Sequence, residues 1–288
     1  MKVIALATSY NRKEITLRSL DSLRSQLLPP TCEMNICLVD DGSSDGTGDA
    51  VRSAFPDATV LEGSGDLFWA GGMRFGWEHY VQQQEFDYLL VFNDDVELYP
   101  DAVTKLLAVS DVLENDGCKS YAISGAFVDP HTMETAYGGV VRNSTWHPLR
   151  VEMISPGGIM QECDTLNMNC ALISREALAL TGFLSPAFKH KRADFDFGLR
   201  LKRAGGKIIL APDYVGECRR NEANGTSKEQ GISSVERWRR LISIKEEPFR
   251  ERALYCRRHG GWLWPIFWLA PYLLVWVDCV IRALRGRQ

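Results

Sequence analysis

The stretch LLVFNDDVEL, residues Leu89–Leu98, runs four apolar residues into an amide and two adjacent carboxylates, Asp94 and Asp95. Such a short apolar run is typical of a buried β-strand, so the carboxylates stand where a strand ends. One interpretation is a half-exposed turn that caps the next helix. The other is a site for a hard divalent cation, which Mg²⁺ would share with substrate phosphates.

Similar short apolar runs precede this stretch, and helical patterns separate them. Strands are predicted at KVIALAT (2–8), MNICLVDD (34–41) and ATVLEGS (58–64), and helices at 11–26 and, opening on glycines, at 71–84. This alternation predicts an α/β fold with a mostly parallel sheet flanked by helices, whose ligand crevice lies at the carboxyl ends of the strands. Four acidic residues are expected at such ends: Asp40, Asp41, Asp94 and Asp95.

The second half of the chain continues the pattern less regularly. A helix is predicted at 101–115 and a strand at 121–128, followed by a loop-rich stretch through Gly158. A strand leading into a helix is predicted at 170–184, and a helix leading into a strand at 194–213. The polar segment 219–234 is the predicted boundary between this α/β body and a basic tail.

The charge distribution and the cysteines limit the partners and the compartment expected of this protein. The chain has 288 residues and a net charge of −4, but the segment from Val235 onward carries 11 Lys and Arg against 5 acidic residues, which leaves −10 on the rest. A strongly acidic body argues against a nucleic-acid partner. Eight cysteines without metal-type spacing and a short apolar N-terminus predict a cytosolic protein with no export signal.

The glycine-containing segment AGGMRFG, residues 70–76, is the second candidate for ligand binding. Glycines permit close backbone approach to a ligand, and the N-terminus of the helix that follows favours anions. The chain has neither a G-x-G-x-x-G stretch nor a Walker lysine here, so dinucleotide and ATP binding lose support. The alternative is that these glycines only close a tight turn.

Several motifs, in this order, resemble the GT-A fold of bacterial family 2 glycosyltransferases, in a membrane-associated subgroup. They are LATSYNR (6–12), CLVDDGSSDGT (37–47), GDLFWAGGMRFG (65–76), FNDD (92–95), LNMNCALISREAL (166–178), HKRADFDFGLRLKRAG (190–205) and APDYVGEC (211–218). The resemblance implies a Rossmann-like glycosyltransferase domain at 1–230, with a nucleotide-binding half (1–100) and an acceptor-binding half (101–230). Residues 235–288 would form a membrane-associating helical tail.

The resemblance assigns the donor site residue by residue. The implied nucleotide-binding residues are Thr8, Tyr10, Arg12, Asp40, Asp41, Gly71, Gly72 and Asp94. Asp40 would accept a hydrogen bond from the base, and Asp41 would shape the adjacent turn with Gly42 and Ser43. The metal motif of the family falls on residues 93–95, where its first Asp is Asn93, so Asp95 is the predicted ligand of Mg²⁺ or Mn²⁺.

The resemblance also places a general base in the second half, because an acceptor hydroxyl must lose its proton as the diphosphate leaves. Asp194 matches the Asp of the family's Glu-Asp pair, and Ala193 replaces the Glu. The implied sugar or acceptor contacts are Trp69, Asn169, His190 and Asp196, although Asp196 could instead cap a helix. Where relatives have a late metal-binding His, this chain offers Glu217 or Cys218, of which the oxygen ligand suits Mg²⁺ better.

The tail contains eighteen uncharged residues with four tryptophans, GGWLWPIFWLAPYLLVWV, from Gly260 to Val277. Arginines flank it, the last being Arg287, and Pro265 and Pro271 are expected to interrupt a helix. Tryptophan and arginine favour the headgroup region, which predicts a peripheral or monotopic anchor at the cytoplasmic face of the membrane. A membrane span, or packing on the body or on a second copy in a homodimer, remains open.

These observations predict an inverting glycosyltransferase that moves a sugar from a nucleotide-sugar donor to a cell-envelope glycan or a lipid-linked acceptor. By analogy with the family, dTDP-rhamnose is the first expectation for the donor, and a UDP-sugar is the next. One alternative is a catalytically inactive membrane-bound scaffold of the same fold. Another is a sugar nucleotidyltransferase, although ATSYNRKEIT, residues 7–16, lacks the glycines of its triphosphate loop.

Overall fold

The computed structural model describes residues 1–220 and 225–285, so Arg287 and part of the predicted linker lie outside the described residues. The strands are β1 (Lys2–Ser9), β2 (Glu33–Asp40), β3 (Thr59–Glu62), β4 (Tyr88–Phe92), β5 (Glu97–Leu98), β6 (Tyr121–Val128), β7 (Thr135–Tyr137), β8 (Gly139–Arg142), β9 (Val151–Met153), β10 (Gln161–Glu162), β11 (Thr165–Leu166), β12 (Cys170–Ser174) and β13 (Lys207–Glu217). The helices are α1 (Lys13–Arg24), α2 (Thr47–Ala54), α3 (Phe68–His79), α4 (Ala102–Asn115), α5 (Arg175–Thr181), α6 (Ala193–Arg203), α7 (Ser234–Leu241), α8 (Phe249–His259) and α9 (Trp264–Arg285).

The larger sheet has the strand order β10-β13-β6-β12-β4-β1-β2-β3, and β5 and β7 pair at its side with β13 and β6. Strands β1 to β4 are parallel, whereas β12 runs antiparallel between β4 and β6. Every residue of β4, β6 and β12 is buried, as expected for strands covered on both faces. The predicted mixed, mostly parallel α/β fold is therefore confirmed. A second, three-stranded sheet has the order β11-β8-β9.

The described chain forms two compact units. The first comprises Met1–Val141, Glu152–Lys189 and Ala193–Arg220, and the second comprises Arg142–Val151, His190–Arg192 and the described residues after Arg220. The chain therefore enters the second unit three times. The functional division into 1–230 and 235–288 stays a prediction.

Most predicted elements of the first half are present, but two differ from expectation. Helix α2 was not predicted; it follows Gly46, whose φ is +79°, and the Asp45 carboxylate accepts from the Thr47 amide. Helix α3 begins three residues before the predicted glycine start. The reason is that the Asp41 carboxylate accepts hydrogen bonds from the amides of Leu67 and Phe68 and so caps the helix there.

Helix α3 packs against β1 and β2, and this close approach depends on glycine. A Cβ atom on Gly72 would lie 2.2 Å from Thr8 Oγ1, and one on Gly76 would lie 2.5 Å from Leu6 Cδ1. The two positions are four residues apart and therefore share one face of the helix. Gly72 is therefore a position of close approach to the sheet, whereas the predicted approach to a ligand stays a prediction.

In the second unit, α9 continues through Pro271, so the prediction that this proline interrupts the helix is wrong. Proline lacks the amide that would bond the carbonyl of residue 267. Arg252 on α8 supplies donors instead: its Nη2 lies 2.5 Å from Phe267 O and its Nε 3.1 Å from Trp268 O. Pro265 falls in the first turn, where helices tolerate proline because no amide is needed.

The two faces of α9 differ. On the inner face, the Tyr272 hydroxyl donates to Glu247 O at 2.6 Å and its ring stacks on Phe249 at 4.1 Å between centroids. On the outer face the exposed side chains are all apolar: Ile266, Leu269, Leu273, Leu274, Trp276, Val277, Val280 and Ile281. Within the described part of the chain, Gly261–Ile281 is the helical segment long and apolar enough to cross a membrane, with a mean hydropathy of 1.6 and 11% of it buried.

We expect Arg252→Met to lower the free energy of unfolding by about 1–3 kcal/mol, because the Phe267 carbonyl loses its donor and the Glu247 carboxylate loses its partner at 2.7 Å. The cost should shrink in a Pro271→Ala background, where residue 271 regains its own amide donor. Denaturant unfolding followed by tryptophan fluorescence measures the four proteins of this cycle. Arg250→Met, at an exposed position of α8, is the matched control. An equal loss in both backgrounds would contradict the role given to Arg252.

Candidate active site

The site is built where three neighbouring parallel strands end. In the register of the sheet, Ser9 of β1 lies beside Asp40 of β2, and Leu6 of β1 lies beside Val91 of β4. The residues that follow these strands therefore emerge at one edge of the sheet. The expected position of Asp40, Asp41, Asp94 and Asp95 at strand ends agrees with this geometry.

The first contact across this edge joins the β1 and β4 loops. Arg12 Nη1 lies 2.9 Å from Asp95 Oδ2 and 3.3 Å from Asp94 Oδ1. Burial raises the pKa of the Asp94 carboxyl group, an effect that Arg12 opposes and Asp95 strengthens. Burial alone would lower the pKa of Arg12, but the charges of the two carboxylates outweigh it and raise that pKa.

The second contact joins the β1 and β2 loops. Asn11 has a φ of +52°, a left-handed conformation that Asn tolerates better than most residues. Its side-chain oxygen accepts from the Ser44 amide at 2.7 Å, and its own amide donates to Ser43 Oγ at 2.9 Å. Asp45 Oδ2 accepts from the Lys13 amide at the start of α1. Sequence reasoning missed these residues, although Asn11 and Asp45 both lie within its quoted motifs.

Two aspartates stand at the end of β2: Asp40 is its last residue and Asp41 follows it. The carboxylate of Asp41 is occupied by backbone amides. It accepts from the amides of Gly65, Leu67 and Phe68 at 2.8 to 3.0 Å. This geometry fits the expectation that Asp41 shapes a turn. Asp40 Oδ1 accepts from the Ser43 amide at 3.1 Å, whereas its Oδ2 faces α2 so closely that a Cβ on Gly48 would lie 2.5 Å away.

The start of α3 was expected to attract an anion, and the structure corrects this. Its first amides are occupied by the Asp41 carboxylate, and the amides of Ala70 and Gly71 donate to Lys189 O at 3.0 and 3.4 Å. An anion would have to displace these acceptors. Gly71 and Gly72 therefore serve the backbone contact with Lys189 and the packing on Thr8, whose hydroxyl donates to Val39 O.

Hydrogen bonds connect Trp69, Asn93 and Asn169, and Asn93 directly precedes Asp94 and Asp95. Trp69 Nε1 donates to Asn93 Oδ1 at 2.8 Å, and the Asn93 amide donates to Asn169 O at 3.0 Å. The amide side chain that replaces the first Asp of the metal motif thus holds the indole of Trp69. Tyr10, next to Asn11 in the loop after β1, is 53% exposed, which suits an aromatic surface for a base.

The remaining predicted residues lie on other elements. Asp194 is the second residue of α6, is half-buried, and accepts from the Phe195 amide at 2.8 Å. Asp196 is fully buried and holds Arg200 Nε at 2.8 Å, while Arg200 donates to the carbonyls of Thr181 and Phe183. The ion pair lies within α6, and the bonds from Arg200 to the two carbonyls join α6 to the end of α5. The Asp196 carboxylate is thus buried in this packing and paired with Arg200. His190 belongs to the second unit.

The oxygen atoms of Asp95 suit a hard divalent cation. Among the described residues, Asp95 Oδ1 is buried and has no hydrogen-bond partner. Residues 1–220 and 225–285 contain no group of three or more His, Cys, Asp and Glu that could hold a metal ion by itself. The donor set therefore fits Mg²⁺ or Mn²⁺ that takes most of its ligands from a diphosphate and water.

Of the two candidates for the late metal ligand, Glu217 and Cys218, the surroundings disfavour the Cys218 thiol. Burial and the nearby Asp95 and Asp129 charges raise the pKa of Cys218 to about 12, so the thiol stays protonated, and its Sγ lies 3.7 Å from Asp95 O. Glu217 accepts from the Tyr99 hydroxyl at 3.3 Å. As a metal ligand Glu217 stays a prediction.

Comparison with known proteins identifies the family. The model of glycosyl transferase family 2 matches residues 5–177, more than half of the chain, so the chain belongs to this family, as the motifs predicted. No curated protein matches the sequence.

Solved structures with the same fold include three glycosyltransferases. The mannosyltransferase PcManGT from Pyrobaculum calidifontis, in complex with GDP-Man and Mn²⁺, is 18% identical with a TM-score of 0.54; the match covers 94% of this chain and 69% of that one. GalNAc-T7 with UDP, GalNAc and Mn²⁺ is 13% identical with a TM-score of 0.62, covering 91% and 52%. TarS from S. aureus is 15% identical with a TM-score of 0.54, covering 90% and 40%, so this chain spans well under two thirds of the last two.

We expect Gly72→Ala to destabilise the protein by about 1–3 kcal/mol, because the new methyl group collides with the side chain of Thr8, which β-branching holds stiffly. Gly71→Ala, one residue earlier in the same helix, is the control. Its Cβ would meet Leu67 Cβ at 3.3 Å, and alanine favours the helix, so stability should change by less than about 1 kcal/mol. Thermal and denaturant unfolding measure both variants; equal effects would contradict the close packing of α3 on β1.

Proposed function

We propose that this family 2 member is an inverting glycosyltransferase, which transfers a sugar from a nucleotide-sugar donor to a hydroxyl group of an acceptor. The observation that carries the proposal is the cluster of Arg12, Asp40, Asp94 and Asp95 at the carboxyl ends of three adjacent parallel strands. Ligands of α/β sheets bind at such an edge. The fold and the family support the same activity.

In the proposed donor complex, Tyr10 stacks on the base and the carboxylate of Asp40 accepts a hydrogen bond from it. Asp94 contacts the ribose or the sugar, and the Arg12 guanidinium binds the diphosphate, for which its planar donors are well suited. Thr8, Asp41, Gly71 and Gly72 contribute by fixing the loops and α3 around this site. Trp69, Asn169 and His190 are proposed sugar or acceptor contacts.

The proposed reaction is a single displacement. The acceptor hydroxyl loses its proton to the carboxylate of Asp194 while its oxygen attacks the anomeric carbon. The bond from that carbon to the donor phosphate breaks, its electron pair goes to the phosphate oxygen, and the configuration inverts. When bound by Asp95, with Glu217 as a candidate second ligand, Mg²⁺ or Mn²⁺ would offset the charge of the departing diphosphate.

The donor and acceptor remain proposals. We retain dTDP-rhamnose as the first donor to test and UDP-sugars as the next. The similar structures were solved with GDP-Man, with UDP-GlcNAc for a TarS fragment, and with UDP and GalNAc, which adds GDP to the nucleotides worth testing. A cell-envelope glycan or a lipid-linked saccharide is the proposed acceptor class.

The outer face of α9 supports a membrane as the partner of the second unit. Its exposed side chains from Ile266 to Ile281, the part of this face whose side chains the structure describes, are apolar, and Leu274 and Trp276 are 71% and 58% exposed. The inner face is fixed by polar contacts of Arg252 and Tyr272 that would be costly to carry into hydrocarbon. We therefore propose that α9 lies in the interface at the cytoplasmic face, as a monotopic or peripheral anchor.

We expect the purified protein to sediment with vesicles that contain anionic lipid, and Leu274→Glu to weaken this binding about tenfold or more because it places a charge in the apolar face. Leu180→Glu, at an exposed leucine of the first unit, is the control and should bind like the wild type. Wild-type protein that stays in solution with vesicles would overturn the anchor. So would a dimer, measured by light scattering, that Leu274→Glu dissociates without any effect on vesicle binding.

Thermal shift with UDP, dTDP and GDP, with and without Mn²⁺, tests the proposed donor site, because a ligand of the native state raises the melting temperature. We expect one nucleotide to stabilise the wild type, with an added stabilisation from Mn²⁺ that Asp95→Asn abolishes. Asp213→Asn, at an exposed position on β13, is the control and should behave like the wild type. Failure of all three nucleotides to stabilise the wild type would overturn the proposal in favour of an inactive scaffold.

A further inference from the structure

Asp95, the carboxylate proposed to bind the metal, already pairs with a cation, the guanidinium of Arg12. Its Nη1 bridges Asp95 Oδ2 at 2.9 Å and Asp94 Oδ1 at 3.3 Å. The other oxygen, Asp95 Oδ1, is buried and unpartnered among the described residues. Arg12 thus pairs with one oxygen of Asp95, while the other has no partner among the described residues.

The backbone around Arg12 is anchored on both sides, whereas its side chain is partly exposed to solvent. Asn11 is tied to Ser43 and Ser44, and the Lys13 amide to Asp45, so the residues on both sides are anchored to the β2 loop. The Arg12 side chain itself is 45% exposed. The guanidinium can therefore leave the carboxylates by rotation of its side chain without a rearrangement of the loop.

The charge of Arg12 disfavours a divalent cation at Asp95 unless a nucleotide diphosphate is bound as well. Two carboxylates and one guanidinium leave a single net negative charge, and a divalent cation at Asp95 would be repelled by Arg12 a few ångströms away. A nucleotide diphosphate offers Arg12 other anionic oxygens. It would draw the guanidinium away from Asp95 and at the same time bring oxygen ligands for the metal.

We propose that Arg12 couples metal binding to nucleotide binding: it occupies Asp94 and Asp95 in the free protein and exchanges onto the diphosphate, which opens Asp95 to the metal. The inference rests on the proposed donor site and adds the coupling to it. By linkage, the metal then strengthens nucleotide binding by the same factor as the nucleotide strengthens metal binding.

The test measures free Mn²⁺ by its electron paramagnetic resonance signal, with and without saturating UDP, dTDP or GDP. We expect wild-type protein to bind Mn²⁺ about tenfold or more tightly with its nucleotide than without. Arg12→Gln should bind Mn²⁺ alone about tenfold more tightly than the wild type and lose most of the coupling. Arg18→Gln removes the same charge from an exposed position of α1 and should match the wild type.

Arg12→Lys keeps the charge and should keep part of the coupling, which separates the effect from a general loss of structure. The proposal is overturned if Arg12→Gln shows the wild-type coupling factor, or if it binds Mn²⁺ alone more weakly than the wild type does. The second result would mean that Arg12 orients Asp95 and does not compete with the metal. If wild-type protein binds no nucleotide, the proposed function itself fails; if it binds both ligands with unchanged coupling in Arg12→Gln, only this inference fails.

Discussion

The parallel pairing of β1 with β2 on one side and β4 on the other is the constraint on which the site depends. It brings the ends of three strands to one edge, with Ser9 beside Asp40, so that loops more than 80 residues apart in the chain meet. Arg12 then links the loop after β1 to the loop after β4, and Asn11 links it to the loop after β2. Acidic residues at strand ends are ordinary turn residues in isolation, and only this register turns them into a cluster of one guanidinium and several carboxylates.

The sequence predicts those parts of the molecule whose signals are local. Apolar runs indicate the central strands, and the family motifs indicate the residues at their ends. Contacts distant in sequence are not predictable in this way: Asp41 accepts from the amides of Leu67 and Phe68, so α3 starts three residues before the predicted glycine. Likewise, the bonds of Arg200 to the Thr181 and Phe183 carbonyls form only when α6 meets the end of α5.

In the second unit, too, a contact distant in sequence decides the outcome, here at Pro271 of α9. Proline inside a helix predicts an interruption because its missing amide leaves a carbonyl unsatisfied. Here a guanidinium from a different helix satisfies that carbonyl, so α9 remains continuous and keeps one uninterrupted apolar face. A sequence pattern can report the defect, but not the side chain 19 residues earlier that compensates for it. The apolar face is what makes a membrane the proposed partner of this unit.

Single-turnover kinetics of Asp194→Asn measure whether Asp194 accepts the proton of the acceptor hydroxyl in the proposed inverting transfer. We expect this variant to bind the donor like the wild type but to transfer sugar at least about 100-fold more slowly. The wild-type product, analysed by NMR, should have the inverted anomeric configuration. Transfer by Asp194→Asn at a near-normal rate, or a product that retains the configuration of the donor, would contradict it.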